Sequence, residues 1–554
     1  GTVMAMVQSR LERLSADARR TLRAASVFGE VFWASAVHVL LGQTARTVTV
    51  QSAFAELTDG ELIVPRGIGR FADQPEYRFR HSLLREAAYA MLTEADRALG
   101  HRLAAEWLEG AGENDAAVIA EHFERAGEPL RAAAWFDRAA AQALGANDFR
   151  AAAVQADRGL ASGATGALRA SLVLQKAEAH GHLAESDAAL EAALEALELM
   201  PKFGTGWLDA LRIVSRTAVG LGRFELPAEI SHEFVERLDA GARDAPFLRA
   251  ANDTAFALMY GGDAARAFAI LDRVGAIDLA TQRDPACEAS VHLAKATLAM
   301  RDGDVGALLV HEQAAFAALE RSGDTRAACG EAVNVSYAQL ELGMYPQAEL
   351  SLRVALASAE RLGLPRPLAL AQQNLGAALF RQGQYEEGER MLRACIEAFD
   401  PHDERRLIGG GYTYLAQLQT LRGDFTEAKA NARRATELMA EARGCLPQAV
   451  ATLARALRLE GEVAGALVEA TRAIELLREV GTVDEGESLV RLEYAESLRA
   501  AGRETDARDA LQEARDALLA RVARFRDERH RAVFLTSVPD NARTLALCRD
   551  ATGG

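Results

Sequence analysis

Asn374-Leu375-Gly376-Ala377-Ala378-Leu379-Phe380-Arg381-Gln382-Gly383-Gln384-Tyr385-Glu386-Glu387-Gly388 reads as the end of one helix, a tight turn and the start of the next. Small and apolar residues run to Phe380, Gly383 supplies a residue free to turn left-handed, and Tyr385 reopens the helical pattern two positions later. The unit repeats. Gly222, Gly262, Gly303, Gly343, Gly383, Gly423, Gly461 and Gly502 follow one another at spacings of 40, 41, 40, 40, 40, 38 and 41 residues. Two positions after each stand Phe224, Ala264, Val305, Tyr345, Tyr385, Phe425, Val463 and Glu504, apolar in all but the last. Five positions after stand Pro227, Ala267, Leu308, Ala348, Gly388, Ala428, Ala466 and Ala507, small in all but Leu308. From the third unit on, the twelfth position is small as well: Ala315, Ala355, Cys395, Ala435, Ala473 and Ala514.

A fixed period of this length signals stacked supersecondary units. Each glycine closes a first helix, the apolar residue two later plugs the turn, and the small residues let the second helix cross its neighbour closely. One hairpin cannot bury both faces, so hairpins stack into a superhelix. Segment 374–388 resembles a tetratricopeptide repeat. The period of 40 rather than 34 is similar to the long-helix variety of bacterial transcription activators and scaffold proteins. The resemblance implies an all-α, right-handed superhelix of tetratricopeptide-type hairpins over residues 166–520, followed by a C-terminal capping helix and tail over 521–554.

Upstream, Ala126-Gly127-Glu128 and Asn147-Asp148-Phe149 mark helix starts, so connecting helices are expected over 109–165, at about 115–126, 129–144 and 148–161. Residues 1–108 break the period. Helical patterns at about 4–13, 16–28, 33–41 and 46–57 precede Glu61-Leu62-Ile63-Val64-Pro65, a turn-rich stretch from Arg66 to Pro75, and Glu76-Tyr77-Arg78-Phe79-Arg80. Three helices and a β-hairpin predict a winged-helix domain, with one long helix running on from His81.

Composition bounds the function. Of 554 residues 49% are apolar, and the formal net charge is -16. An acidic chain is a poor ligand for nucleic acid. Arg66, Arg70, Arg78 and Arg80 decorate the wing, yet the helix that would enter a DNA groove carries only Arg46 and contains Glu56. Five isolated cysteines with no C-x-x-C pair signal neither zinc nor a redox couple and fit a reducing compartment. No apolar stretch reaches 18 residues, so no membrane span is expected and the location expected is cytoplasmic. The opening Gly1-Thr2-Val3 lacks an initiator methionine, which points to sequence upstream of it.

The runs Arg10-Leu11-Glu12-Arg13-Leu14, Arg23-Ala24-Ala25-Ser26-Val27-Phe28-Gly29 and Glu76-Tyr77-Arg78-Phe79-Arg80-His81-Ser82-Leu83-Leu84-Arg85-Glu86-Ala87-Ala88-Tyr89-Ala90-Met91-Leu92 resemble stretches of the bacterial signal-transduction ATPases with numerous domains. The tail Phe534-Leu535-Thr536-Ser537-Val538-Pro539-Asp540-Asn541-Ala542-Arg543-Thr544-Leu545-Ala546-Leu547 is similar to the end of the same group. The resemblance implies an upstream ATPase binding ATP or ADP, often fused to a serine/threonine kinase or a nucleotide cyclase. No G-x-x-x-x-G-K-[ST] occurs here, so this chain itself is expected to hold no cofactor and to catalyse nothing. If His81 matches the winged-helix histidine of that group, it contacts the phosphates of ADP in the parent protein.

The expected role is therefore a non-catalytic sensor arm that binds a partner protein, peptide or inducer in the repeat groove and controls the ATPase. The alternatives are a constitutive scaffold that recruits kinase substrates, or a DNA-binding regulator. Positions ten, six and three before each anchor glycine should line the groove. They include Arg212, Asn252 and Gln373; Arg216, Phe256, Tyr337, Gln417 and Arg455; and Met259, Phe380 and Arg458. Arginine, aromatic and amide side chains together suit the anchoring of a protein segment. His180 and His182 diverge on a helix and predict no metal site, and Gly409-Gly410-Gly411 reads as a flexible helix start.

Overall fold

The computed structural model describes residues 9–42, 47–67, 69–71, 74–281, 283–399, 404–481, 483 and 485–552. The chain divides into two compact units, Gly1–Lys176 and Ala177–Gly554.

The first unit opens with α1 (Ala16–Ser26), capped by the Ser15 hydroxyl, which accepts from the Ala18 N–H at 3.1 Å. Then follow β1 (Val31–Trp33), α2 (Ala34–Leu41), α3 (Thr47–Asp59), β2 (Ile63–Arg66) and β3 (Glu76–Phe79). The sheet is antiparallel with order β1-β3-β2. It therefore has three strands rather than the two expected. Trp33 ends β1, and the helix expected from residue 33 starts at Ala34. The first expected helix reaches into residues 1–8, which with Arg46 fall outside the described residues. Phe32, Phe54 and Phe79 pack between the sheet and α1, α3 and α4 (Ser82–Ala90), with Leu22, Leu57 and Leu84.

The single long helix expected after His81 is two helices, α4 and α5 (Glu94–Ala111). The chain breaks at Met91–Thr93, where the Thr93 hydroxyl caps α5 by accepting from the Asp96 N–H at 3.1 Å. Helices α6 (Ala116–Arg125), α7 (Pro129–Gly145) and α8 (Phe149–Ala161) fall where the turn signals place them. Gly127 and Asn147 carry the left-handed φ values, 72° and 61°, that close α6 and α7.

Helix α9 (Gly166–Leu183) contains the boundary, and hairpins follow throughout the second unit: α10 (Ser186–Leu199), α11 (Thr205–Leu221), α12 (Glu225–Asp239), α13 (Ala245–Tyr260), α14 (Ala264–Gly275), α15 (Pro285–Arg301), α16 (Val305–Ser322), α17 (Thr325–Glu341), α18 (Tyr345–Leu362), α19 (Pro365–Arg381), α20 (Tyr385–Glu397), α21 (Arg405–Arg422), α22 (Phe425–Leu438), α23 (Leu446–Glu460), α24 (Val463–Val480), α25 (Glu487–Ala500) and α26 (Glu504–Val522). This is the expected all-α repeat array. All eight anchor glycines have φ between 70° and 99°, a region that costs a side-chain-bearing residue its ease. The positions five and twelve later are buried, with Ala267, Ala348, Ala428, Ala466, Ala435 and Ala473 wholly so.

Odd-numbered helices pack on odd: α11 on α13, α21 on α23, α23 on α25. Gly409, Gly410 and Gly411 do not form a flexible start. They lie inside α21, buried, where an added Cβ would stand 2.8 Å from Met439, 2.8 Å from Gln373 and 2.9 Å from Ile396. Three successive glycines let three neighbouring side chains press against the helix backbone.

The chain ends in α27 (Glu528–Ser537) and α28 (Pro539–Thr552). These two helices do more than follow the last hairpin. Helix α28 lies on α25 and α26. Phe525 and Phe534 enter a core built from Val305, Leu308, Leu309, Ala338 and Leu342, about 200 residues earlier in the sequence. Arg524 donates to the carbonyl of Asp302 at 2.5 Å.

Candidate ligand groove of the repeat array

The odd-numbered helices from α9 to α25 turn their free faces to one another. Arg326 on α17 pairs with Glu178 on α9 at 3.2 Å, across 148 residues of chain. Arg406 at the start of α21 lies over the ring of Tyr260 on α13, 5.2 Å from its centroid. Arg249 on α13 meets Asp324, the N-cap of α17, at 3.5 Å. These contacts define an inner surface with charge on both walls.

Its C-terminal half is filled by the chain itself. Asp540, in the first turn of α28, accepts from Arg455 on α23 at 2.8 Å. Burial disfavours the Asp540 carboxylate, but Arg455 and Arg381 outweigh it and hold its pKa below the usual value. Arg455 also reaches Glu493 at 3.2 Å, and Arg458 reaches the same carboxylate at 2.6 Å and Glu496 at 2.9 Å. The Glu493 side chain is wholly buried and takes a further hydrogen bond from the Ser497 hydroxyl at 3.1 Å. Arg543 on α28 closes the network on Glu496 at 3.1 Å. Nearby, Tyr414 donates to Glu485 at 2.5 Å, and burial pushes the phenol well above its usual pKa. Every charge taken from water here has a partner, as burial requires.

In the N-terminal half Arg216 and Phe256 stay exposed. Arg212 binds Asp253 at 2.9 Å and stands 3.6 Å from Asp209; Arg366 binds Glu404 at 2.9 Å. Phe256 is 38% exposed and leans on Tyr260, ring centroids 4.8 Å apart. Arg216 is exposed to solvent and makes no hydrogen bond or ion pair with any described residue. Desolvation, with Arg212 and Arg366 close by, holds its guanidinium below the usual pKa against the pull of Asp253 and Glu404.

The expected groove residues thus fall into three classes. Arg216 and Phe256 are accessible. Arg212, Gln417, Arg455 and Arg458 are inner but engaged: Gln417 is 7% exposed, accepts from Arg381 at 3.0 Å and donates to Thr452 at 3.3 Å. Asn252 is half-buried and ties α13 to α15 by donating to the Ser290 carbonyl at 2.7 Å. Gln373 is wedged against Gly410, Met259 packs on the Leu258 core, and Tyr337 is half-buried. Phe380 is a correction. At 1% exposed it is core, packed with Leu375, Leu392 and Leu418 rather than facing the groove. At this repeat the third position before the glycine points between hairpins, whereas Arg458 at the same register joins the inner network.

Sequence reasoning missed Glu493, Asp540, Arg381, Arg249 and Arg366. A signal existed for Glu493. Asp253 and Glu493 both stand nine before an anchor glycine, facing an arginine of the preceding repeat. Asp540 had none, because its partner is set by a fold-back that no local pattern announces.

His81 is the exposed N-cap residue of α4 and makes no capping bond. The wing arginines are occupied: Arg66 by Glu76 at 2.7 Å, Arg70 by Glu113 at 2.6 Å, Arg80 by Glu61 at 3.6 Å. His180 pairs with Glu185 at 2.6 Å, and among the described residues no three potential ligands gather as a metal site. No helix described is long and apolar enough to cross a membrane.

No protein-family profile matches the chain, and no curated protein matches it either. Solved structures do. A Rap protein complexed with competence and sporulation factor is 15% identical, with a TM-score of 0.42, covering 69% of this chain and 99% of that one. The Cut9–Hcn1 hetero-tetramer of APC/C is 14% identical, with a TM-score of 0.42, covering 84% and 97%. A signal-transduction ATPase with numerous domains and a tetratricopeptide repeat sensor, from Pyrococcus horikoshii, is 12% identical, with a TM-score of 0.29, covering 95% and 66%. Likenesses this distant concern the repeat fold alone.

Proposed function

We propose that the chain is a non-catalytic sensor and interaction arm whose repeat groove receives a segment of a partner protein or a peptide. One observation carries the reading: the groove already holds a polypeptide segment, its own C-terminal stretch from Phe525 onward, through a buried carboxylate–arginine pair and two phenylalanines. An inner face that accommodates one helical segment at one end, and leaves Arg216 and Phe256 exposed at the other, suits recognition rather than chemistry.

In this reading the N-terminal unit is a winged helix that couples the array to an upstream ATPase. In the same reading His81, exposed at a helix N-terminus, meets an anion such as the phosphates of a nucleotide held by that domain, a role its exposure supports. A DNA-reading role has less support, since three of the four wing arginines are tied to glutamates. The test is capture by the immobilised full chain from a lysate of its native cell, with the double substitution Arg216→Glu, Phe256→Ala as control. A partner retained by the natural chain and lost with the double change supports the reading. Retention of the same proteins by both refutes the groove as the binding surface.

A further inference from the structure

The filled half of the groove displays its own recognition chemistry, and the other half repeats it with one piece absent. Arg455 stands six residues before its anchor glycine, Gly461; Arg216 stands six before Gly222. In both places the next odd-numbered helix presents an acid nine before its glycine, Glu493 at one and Asp253 at the other. At the filled end Arg455 and Arg458 share Glu493, and Arg455 takes a second carboxylate, Asp540, from a segment that arrives from elsewhere in the chain. At the other end Asp253 is taken by Arg212 at 2.9 Å. Glu404, the other acid acting on Arg216, is taken by Arg366 at 2.9 Å. Arg216 feels Asp253 most among its charged neighbours, with Arg212 and Arg366 opposing, but makes no ion pair with any described residue.

Beside it, at the same register on the next odd-numbered helix, Phe256 exposes its ring. Packed helices lie about 8–10 Å apart, and an extended chain advances about 3.3 Å per residue. A segment laid along the groove would therefore bring residues about three apart in its sequence to Arg216 and Phe256.

Resting on the groove reading above, we propose that Arg216 anchors a carboxylate of an acidic peptide segment, with Phe256 receiving an apolar side chain about three residues along it. The arrangement repeats, for a ligand from outside, what Asp540 does for Arg455. A guanidinium that gains a carboxylate forms a charge-assisted hydrogen bond, the stronger class of such contacts.

The experiment selects a phage-displayed library of random twelve-residue peptides on the full chain, then measures synthetic copies by fluorescence polarisation. Selected sequences are expected to share Asp or Glu with a large apolar residue about three positions away. Replacing that acid by its amide should weaken binding at least ten-fold. Arg216→Gln should weaken the acidic peptide as much while leaving the amide version unchanged, and Arg216→Lys should restore part of the loss. Comparing amidated with free-acid peptides tells a side-chain carboxylate from a C-terminal one; dependence on either supports the proposal.

Binders that lack an acid, or that ignore Arg216→Gln, overturn the carboxylate anchor while the groove reading stands. No binders at all overturn both. A single-stranded oligonucleotide bound in an Arg216-dependent manner, where peptides are not, would replace the carboxylate by phosphate and sink the proposal.

Discussion

Replacing Asp540 with alanine should release the C-terminal helix pair from the groove while leaving the rest of the array folded. The Asp540 side chain is 11% exposed and sits 2.8 Å from Arg455. Breaking a buried pair by removing one partner costs about 3–5 kcal/mol. Arg455 keeps Glu493 at 3.2 Å, so its charge is not stranded, and the cost falls to the bottom of that range or below it, about 2–3 kcal/mol. At about 1.4 kcal/mol per decade, that multiplies the undocked fraction roughly 30- to 150-fold.

Hydrogen exchange read by mass spectrometry should show amides of α27 and α28 accelerating by about that factor. Amides of α11 and α13 should exchange as before. Arg455→Met, alone and combined with Asp540→Ala, completes a double-mutant cycle whose coupling should be about 2 kcal/mol. Unchanged exchange in α27–α28, or an acceleration spread evenly over the array, would refute the idea that this pair latches the segment.

The buried pair His101–His122, Nδ1 to Nδ1 at 2.9 Å, should make the first unit acid-labile. Burial lowers the two pKa values to about 4 and about 3, so the unfolded chain binds more protons below pH 6.5 and stability falls as pH drops from there. Between pH 7 and pH 5 the loss should be about 2 kcal/mol per histidine, read by urea unfolding with tryptophan fluorescence; a flat profile would contradict it. Gly376→Ala should destabilise by about 1–3 kcal/mol, since its Cβ would stand 2.6 Å from Leu392 and 3.0 Å from the Gly388 carbonyl. Gly330→Ala, with nothing within 4 Å, should instead stabilise α17 by about 0.5–1 kcal/mol in the same denaturation assay. All five cysteines are buried, with Cys395 pushed up to about 12 and Cys287 to about 11, so a thiol reagent should label none quickly in the native protein and all five once it is unfolded.

The repeat array was legible because one requirement recurs in one place: a left-handed residue at each turn leaves glycine at Gly222 through Gly502, and helix crossings leave alanine five and twelve later. Those are backbone and volume constraints, visible in any single chain. Strand β1 was less legible. Val31-Phe32-Trp33 carries the right residue types but is only three residues long, too short for alternation to show. The groove was half legible. Register placed Arg216, Phe256, Arg212 and Arg455 on the inner face, but not which of them spends its charge internally. That depends on Glu493, Asp253 and the docking of Asp540, contacts made between repeats or across most of the second unit. Phe380 shows the limit of counting, since one step of helical rotation moves a side chain from groove to core.

The pairing of Arg326 with Glu178, and the seating of Arg406 over Tyr260, join helices four hairpins apart. In an open stack of repeats each unit feels only its immediate neighbours, ends fray, and removing a terminal repeat shortens the molecule without unmaking it. Here a hairpin also answers to one a full winding away, and α27 answers to α16 and α17. Deleting the last hairpin should therefore loosen the middle of the array, and heat should melt the second unit in one cooperative step rather than repeat by repeat.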